Sequence, residues 1–159
     1  MLDDRIIPLI EQAQCLYYRL VLVVAPAGKG KTHLLREVHR QTGASVVDVN
    51  LDLSRRMLDL TERQRILQVP VLLAEILSTQ RGDVILLDNV EMLFDPALRQ
   101  EPLRLLQSLA RDLTLVVTWS GRMIDGYLTY AIPDHPEYRR YEVRDFLMVN
   151  LEQCVPQDA

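Results

Sequence analysis

The chain has 159 residues, of which 48% are hydrophobic and 25% charged, and its formal net charge is −4. This balance is typical of a folded globular protein and argues against a disordered chain or a surface that is basic throughout. No membrane span or signal peptide is expected, because the apolar run from Leu20 to Ala27 is too short. We therefore expect one cytoplasmic domain over 1–159, with a helix in 1–19, a core in 20–145 and a C-terminal tail in 146–159.

In the first part of the chain, the apolar pattern alternates between helical and strand periods. The continuous apolar run 20–24 predicts a strand that is buried on both faces in a parallel sheet. Thr61 and Gln64 have the spacing of a capping box, and Pro70 suits the first turn of a separate helix. The predicted elements are helix 3–18, strand 20–24, helix 32–41, strand 45–49 and helix 70–80.

The second part of the chain continues this alternation. The apolar runs 84–87 and 113–118 predict two more strands, and Pro102 marks the start of a helix between them. Further on we expect a short turn or helix over 122–128, a loop, and a fifth strand over 141–143. The alternation predicts an α/β fold in three layers, with helices on both sides of a mostly parallel sheet of about five strands. Ligands of such sheets bind beyond the carboxyl ends of the strands.

The segment APAGKGKT, from Ala25 to Thr32, matches the P-loop pattern GxxxxGKS/T at every fixed position except the first, where alanine replaces glycine. Its glycines allow backbone N–H groups to point at phosphate oxygens, and the N-terminus of the next helix adds partial positive charge. A glycine-rich turn that binds nothing is the alternative, but a buried strand before the loop and a helix after it are the setting that the motif requires. The predicted nucleotide-binding residues are Ala27, Gly28, Lys29, Gly30, Lys31, Thr32 and His33.

Asp88 ends the third predicted strand and would reach the same edge of the sheet as the P-loop. In P-loop proteins an aspartate at this place, the Walker B position, holds Mg²⁺ together with the hydroxyl of the P-loop threonine, and the P-loop lysine contacts the β- and γ-phosphates. An ordinary turn residue is the alternative for Asp88. We predict ATP and Mg²⁺ as cofactors, with Thr32 and Asp88 at the metal and Lys31 at the phosphates.

Hydrolysis also requires a group that orients or deprotonates the attacking water. Many ATPases place a glutamate directly after the Walker B aspartate, but Asn89 occupies that position here. Glu91 is the candidate instead, with a solvated residue at a helix start as the alternative. Thr118, and Ser120 after it, close the fourth predicted strand, where a hydroxyl would sense the γ-phosphate; a hydroxyl in a turn is the alternative.

Arg139 and Arg140 follow a loop that contains two prolines. A guanidinium group is suited to phosphate, so either residue would serve as an arginine finger on the nucleotide of a neighbouring subunit. Surface ion pairs are the alternative for both. These residues complete the predicted catalytic set of Lys31, Glu91, Thr118, Arg139 and Arg140.

A strand inserted between the P-loop strand and the Asp88 strand resembles the additional-strand class of P-loop ATPases, which includes the AAA+ proteins. That resemblance implies the strand order 5-1-4-3-2. The chain departs from AAA+ proteins in its lack of an adjacent Asp-Glu pair, and it leaves too few residues after Thr118 for a helical lid domain. We therefore expect a partner to close over the nucleotide.

The segments APAGKGKT, LLDNVEML and GYLTYAIPDHPEYRRY together resemble the BrxF family, the small P-loop proteins of type 3 bacteriophage-exclusion (BREX) defence systems. The resemblance implies nucleotide-dependent assembly or signalling in a multiprotein complex that acts against phage. It also implies other BREX proteins and further copies of the chain as partners.

Three functions remain open from the sequence. The first is an ATPase whose bound nucleotide controls self-association or docking to other defence proteins. The second is a nucleotide-gated adaptor with negligible hydrolysis, which Asn89 and the missing lid favour. A small-molecule kinase is less favoured because no arginine-rich lid is evident. DNA as a further partner is possible but is not indicated by the net charge.

Overall fold

A computed structural model describes residues 5–26, 28, 30–131 and 134–154 of the chain. Three 3-10 turns accompany the regular elements, at Glu91–Phe94, Pro96–Leu98 and Leu151–Cys154. The helices are α1 Ile6–Ala13, α2 Lys31–Thr42, α3 Val49–Met57, α4 Glu62–Ser78 and α5 Pro102–Leu109. The strands are β1 Leu20–Ala25, β2 Ser45–Asp48, β3 Val84–Asp88, β4 Thr114–Ile124, β5 Tyr127–Tyr130, β6 Arg139–Glu142 and β7 Leu147–Asn150.

The sheet lies between two hydrophobic layers, as the alternation of elements predicts. Side chains of β1 alternate between them: Leu20, Leu22 and Val24 face one cluster, and Val21 and Val23 face the other. The first cluster includes residues of α3, α4 and α5, and the second includes residues of α1 and α2. Because both faces are covered, the apolar runs of the central strands are continuous instead of alternating. The three-layer α/β fold is confirmed.

Five parallel strands form the sheet in the order β2-β3-β4-β1-β7. This is the order that the resemblance to additional-strand ATPases implied. The fifth strand was wrongly assigned, however: it is Leu147–Asn150 and not 141–143. This edge strand lies within 146–159, the segment that the sequence analysis expected as a tail. The segment Leu147–Asn150 is the fifth strand because it pairs with β1, and its last residues Val149 and Asn150 are buried.

The segment after Ser120 also differs from expectation. Instead of a short turn or helix over 122–128, β4 continues to Ile124 and pairs antiparallel with β5, which pairs antiparallel with β6. We call this three-stranded extension the ribbon. Tyr141 and Glu142, two of the three residues predicted as a fifth core strand, lie in its last strand. In the described residues after β4, the one helical element is the 3-10 turn Leu151–Cys154, so no helical lid is present in that part.

Aromatic side chains hold the ribbon against the rest of the fold. The ring of Tyr130 on β5 stacks on Phe94 with centroids 3.6 Å apart, and Trp119 on β4 meets the Phe94 ring edge-on at 5.2 Å. The Trp119 indole N–H donates to Thr129 O at 3.0 Å, which joins β4 to β5. Gly121 lies opposite Tyr130, and a Cβ atom there would come within 1.8 Å of Thr129 O. The strands therefore approach closely because residue 121 is glycine.

Helix α4 begins earlier than predicted. The capping box of Thr61 and Gln64 is confirmed, and it starts a helix that runs through Pro70 to Ser78. A proline inside a helix cannot donate to the carbonyl four residues before it, here Ile66 O. Gln100 Nε2 donates to that carbonyl at 2.9 Å. A side chain distant in sequence thus satisfies the group that Pro70 leaves free, which explains why the helix continues. None of the helices in the described part of the chain is long and apolar enough to cross a membrane.

Candidate functional site

The loop between β1 and α2 has the backbone form that its glycines allow. Gly28 and Gly30 have φ angles of 79° and 90°, in the left-handed region that favours glycine. Gly30 caps α2, so the helix begins at Lys31 and its first N–H groups face the mouth of the loop. This arrangement suits an anion at the helix N-terminus. Ala27 and Lys29, which the sequence analysis included in the site, lie outside the described residues, and His33 is exposed on the first turn of α2.

Lys31 is the buried cation of the loop, with 7% of its surface exposed. Its Nζ donates to Pro26 O at 2.9 Å, so the side chain folds back across the loop. Burial lowers the pKa of Lys31, while the negative charges of Glu91 and Asp88 act in the opposite direction. Burial removes water from the ammonium group of Lys31. The phosphates of a nucleotide would take the place of that water and stabilise the positive charge.

Asp88 connects the P-loop helix with the neighbouring strand. Thr32 Oγ1 donates to Asp88 Oδ2 at 2.8 Å, and Thr118 Oγ1 donates to Asp88 Oδ1 at 2.8 Å. The backbone N–H of Asn89 donates to Oδ1 as well, at 3.0 Å. Only 8% of Asp88 is exposed, and its carboxylate accepts all three of these hydrogen bonds. The structure thus brings together Thr32, Asp88 and Thr118, which the sequence placed on three separate elements.

The oxygen atoms of Thr32 and Asp88 fit a magnesium ion. Mg²⁺ prefers oxygen ligands, and it is usually held by one or two protein groups together with water and substrate phosphates. The described residues contain no cluster of three or more histidine, cysteine or acidic side chains that would hold a metal without such help. Thr32 and Asp88 would therefore hold the ion only beside a bound phosphate, where it would neutralise phosphate charge.

Glu91 faces the same cleft from the 3-10 turn that follows β3. Its Oε2 accepts a hydrogen bond of 3.0 Å from Ser120 Oγ at the end of the parallel part of β4. Thr118 and Ser120 point to the same face of the sheet, because side chains two residues apart on a strand share a face. Adjacent hydroxyl groups of one strand therefore hold the two carboxylates, Asp88 and Glu91.

Asn89 is turned away from this pair. Its φ of 56° places it in the left-handed region, and its Nδ2 donates to Asp48 Oδ2 at 3.0 Å at the end of β2. Asp48 also caps α3 by accepting from the N–H of Leu51 at 3.0 Å. The side chain directly after Asp88 therefore links β3 to β2, whereas Glu91 lines the cleft beside Asp88.

The ribbon forms the outer wall of a cleft of about 1030 Å³. One face of the ribbon packs on the core through Met123, Leu128 and Tyr141. The other face lines the cleft together with the P-loop and the carboxyl ends of β3 and β4. The ribbon residues on that face include Arg122, Ile124, Tyr127, Thr129 and Arg140. The cleft thus extends from the P-loop beyond Glu91 to an arginine- and tyrosine-bearing surface.

The two arginines that the sequence proposed as fingers lie on opposite faces of β6. Arg139 points away from the cleft, and its Nη2 donates to Gln100 O at 3.4 Å. Arg140 lines the cleft of its own chain, with its guanidinium carbon 3.8 Å from the centre of the Tyr127 ring. A role for either residue on a neighbouring subunit stays a prediction.

Sequence reasoning missed the ribbon and, with it, the outer half of the cleft. Asp125-Gly126 is a strong signal for a two-residue hairpin, and both residues have positive φ, at 51° and 83°. The flanking runs alternate between core and cleft side chains, as a half-buried strand should. Arg122 and Tyr127, on the two strands that this turn joins, could therefore have been assigned to a hairpin from the sequence alone.

No protein-family model matches the chain, and no curated protein does. Among solved structures, the chain is similar to the crystal structure of a DNA replication initiation factor, with 18% identity and a TM-score of 0.47. The alignment covers 90% of this chain and 43% of that one, so the chain spans less than half of that protein.

Proposed function

We propose that the protein binds ATP with Mg²⁺ in its P-loop and hydrolyses it. The observation that carries this proposal is the pair of 2.8 Å hydrogen bonds that Asp88 accepts from Thr32 and Thr118. In P-loop enzymes the P-loop hydroxyl and the Walker B carboxylate hold Mg²⁺ beside the β- and γ-phosphates, and here Thr118 places a further hydroxyl beside that carboxylate. Together with the buried Lys31 they support a triphosphate as the ligand.

Glu91 is the proposed group for the attacking water. In hydrolysis, the water oxygen forms a bond to the γ-phosphorus, the bond from that phosphorus to the bridging oxygen breaks, and ADP and inorganic phosphate leave. The water proton has to pass to an acceptor or to solvent. Glu91 faces the cleft, and the hydrogen bond from Ser120 fixes one of its oxygens, so its other oxygen remains available to orient water.

A nucleotide-gated adaptor is the second candidate, and the position of Asn89 favours it. The residue after the Walker B aspartate has no carboxylate and is committed to Asp48. If Glu91 does not orient water, ATP would bind and persist, and the bound state itself would be the signal.

The test is phosphate release by the purified protein with Mg²⁺-ATP, measured together with nucleotide binding. We expect turnover that is lost in Lys31→Ala and strongly reduced in Glu91→Gln, while Glu91→Gln still binds ATP. Tight binding without turnover would establish the adaptor, and no binding in the unaltered protein would refute both candidates. Arg36→Ala, which removes an exposed cation of α2 outside the cleft, is the matched control for Lys31→Ala.

The proposed cellular role is nucleotide-controlled assembly in an anti-phage complex, with other BREX proteins and further copies of the chain as partners. It is supported by the resemblance of the segments at 25–32, 86–93 and 126–141 to the BrxF family. The test is whether the chain co-purifies with other proteins of such a system when ATP is present, and whether Lys31→Ala abolishes that association.

A further inference from the structure

We propose that Arg122 binds the γ-phosphate of the nucleotide held by the P-loop of its own chain, and that Glu152 holds Arg122 while the nucleotide is absent. This inference rests on the proposed binding of ATP. It assigns the contact within one chain, whereas the sequence proposed arginines that act on a neighbouring subunit.

The position of Arg122 on β4 is the first support. Thr118, Ser120 and Arg122 are alternate residues of one continuous strand, so their side chains share a face. Trp119 and Met123 belong to the hydrophobic cluster on the opposite face, which shows that the alternation continues through the junction with the ribbon. Thr118 contacts Asp88 and Ser120 contacts Glu91, so the next side chain outward on this face is Arg122.

The direction of the Arg122 side chain is the second support. Its Nη2 lies 3.9 Å from Glu152 Oε2, in the turn that follows β7. β1 lies between β4 and β7, so the ion pair spans two strand spacings, about 10 Å of sheet. Ala25 pairs with Ser120, so β1 ends at a level two residues before Arg122. The Arg122 side chain therefore crosses the carboxyl end of β1, where the P-loop begins.

The ion pair with Glu152 is suited to being replaced. Both side chains are partly exposed, at 58% for Arg122 and 40% for Glu152, and an exposed pair at 3.9 Å is weak. A γ-phosphate has more negative charge than a carboxylate and offers several acceptor oxygens to the planar guanidinium group. ADP lacks this group, so Arg122 would distinguish ATP from ADP.

The other arginines near the cleft are less well placed. Arg140 is in register with Arg122 through Thr129, but it lies two strands away from β4 and is stacked on Tyr127. Arg139 is on the opposite face of β6 and donates to Gln100 O.

The test compares the dissociation constants of ADP and of the ATP analogue adenylyl imidodiphosphate, with Mg²⁺ present. For Arg122→Ala we expect the preference for the analogue to fall about tenfold or more, the effect of losing a hydrogen-bonded charge pair, while the affinity for ADP is unchanged. Arg122→Lys should retain part of the preference. Arg144→Ala is the matched control, because Arg144 also makes an exposed ion pair, at 3.6 Å with Glu142. It should bind both nucleotides as the unaltered protein does.

A second variant tests the same contact with the opposite sign. Glu152→Gln releases Arg122, so the analogue should bind more tightly while ADP binding is unchanged. A merely structural role of the ion pair would not produce a gain. If Arg122→Ala fails to fold, Glu152→Gln decides the question. An unchanged preference for the analogue in Glu152→Gln then overturns the proposal.

Mixing experiments distinguish a contact within the chain from one between chains. Lys31→Ala retains Arg122, and Arg122→Ala retains the P-loop. If Arg122 acted between subunits, adding the first variant would restore the nucleotide preference of the second; we expect no restoration. Restoration would overturn the proposal. If the unaltered protein prefers the analogue, Lys31→Ala loses this preference and Arg122→Ala keeps it, only this inference is refuted. Absence of any nucleotide binding refutes the proposed function as well.

Discussion

Ser120 Oγ donates a hydrogen bond of 3.0 Å to Glu91 Oε2 and so joins the end of the parallel part of β4 to the 3-10 turn after β3. Two residues earlier on the same strand, Thr118 makes the equivalent contact with Asp88. The two carboxylates of the proposed site are therefore oriented by hydroxyl groups on one face of one strand. A shift of β4 would move both carboxylates together, and the order of strands in the sheet is what makes this coupling possible.

We predict that Glu91→Gln lowers the rate of ATP hydrolysis by about 10²-fold or more, the usual effect of removing a general base. Ser120→Ala should lower it by about fivefold, because it removes one hydrogen bond of about 1 kcal/mol that orients Glu91. Phosphate release under saturating Mg²⁺-ATP measures both. Ser108→Ala is the control, since Ser108 in α5 donates to Leu105 O and lies outside the cleft. Equal rates for Glu91→Gln and the unaltered protein would contradict the assigned role.

The lowered pKa of Lys31 predicts a pH dependence of stability. Between that lowered pKa and the ordinary value of 10.5, the folded protein releases the Lys31 proton while the unfolded chain keeps it. Stability rises with pH where the unfolded state binds more protons, so Lys31 contributes most above 10.5 and its contribution is lost as pH falls through the folded pKa.

The measurement is chemical denaturation of the unaltered protein and of Lys31→Met over the alkaline range. We expect the free energy of unfolding of the unaltered protein to rise relative to the variant as pH approaches 10.5. The difference is needed because burial raises the pKa of Tyr130 and of Tyr141, which lowers stability at high pH in both proteins. A pH-independent difference would show that Lys31 has its ordinary pKa in the fold.

Gly121→Ala should destabilise the fold by about 1–3 kcal/mol or more, because the added Cβ atom meets the backbone oxygen of Thr129 at 1.8 Å and a strand of the ribbon has to move. Trp119 is the single tryptophan of the chain and donates to the same oxygen, so its fluorescence reports the change directly. Gly126→Asn is the control at the hairpin turn, where the φ of 83° is one that asparagine tolerates. If Gly121→Ala and Gly126→Asn both have the same free energy of unfolding as the unaltered protein, the close approach of β4 and β5 is not required for stability.

Gln100 and Pro70 should be energetically coupled through Ile66 O. Gln100→Ala leaves that carbonyl without its 2.9 Å hydrogen bond and should cost about 1 kcal/mol in stability. In a Pro70→Ala background the new N–H of residue 70 would donate to Ile66 O within the helix, so the same change should cost less. A double-mutant cycle by urea denaturation measures the coupling. Costs that add independently would show that Gln100 acts through Leu98 O, which it also contacts at 2.7 Å.

The amino-acid sequence by itself determined the order of the strands up to β4, the helices between them except α3, and the residues of the phosphate end of the site. Continuous apolar runs specify strands buried on both faces, and carboxyl ends of parallel strands meet at one edge. The sequence could therefore predict that Lys31, Thr32, Asp88 and Thr118 would come together, since each belongs to a strand end or to the loop after one.

Only the tertiary structure decided which short segment completes the sheet and what forms the outer half of the cleft. The segments 139–142 and 147–150 are similar short strands, and pairing with β1 or with β5 separates them. The contacts Ser120 to Glu91, Arg122 to Glu152 and Gln100 to Ile66 likewise join residues far apart in the chain. Local patterns report which side chains need burial or a hydrogen-bond partner, but the partner is supplied by packing of distant segments, so these choices are made only when the whole chain folds.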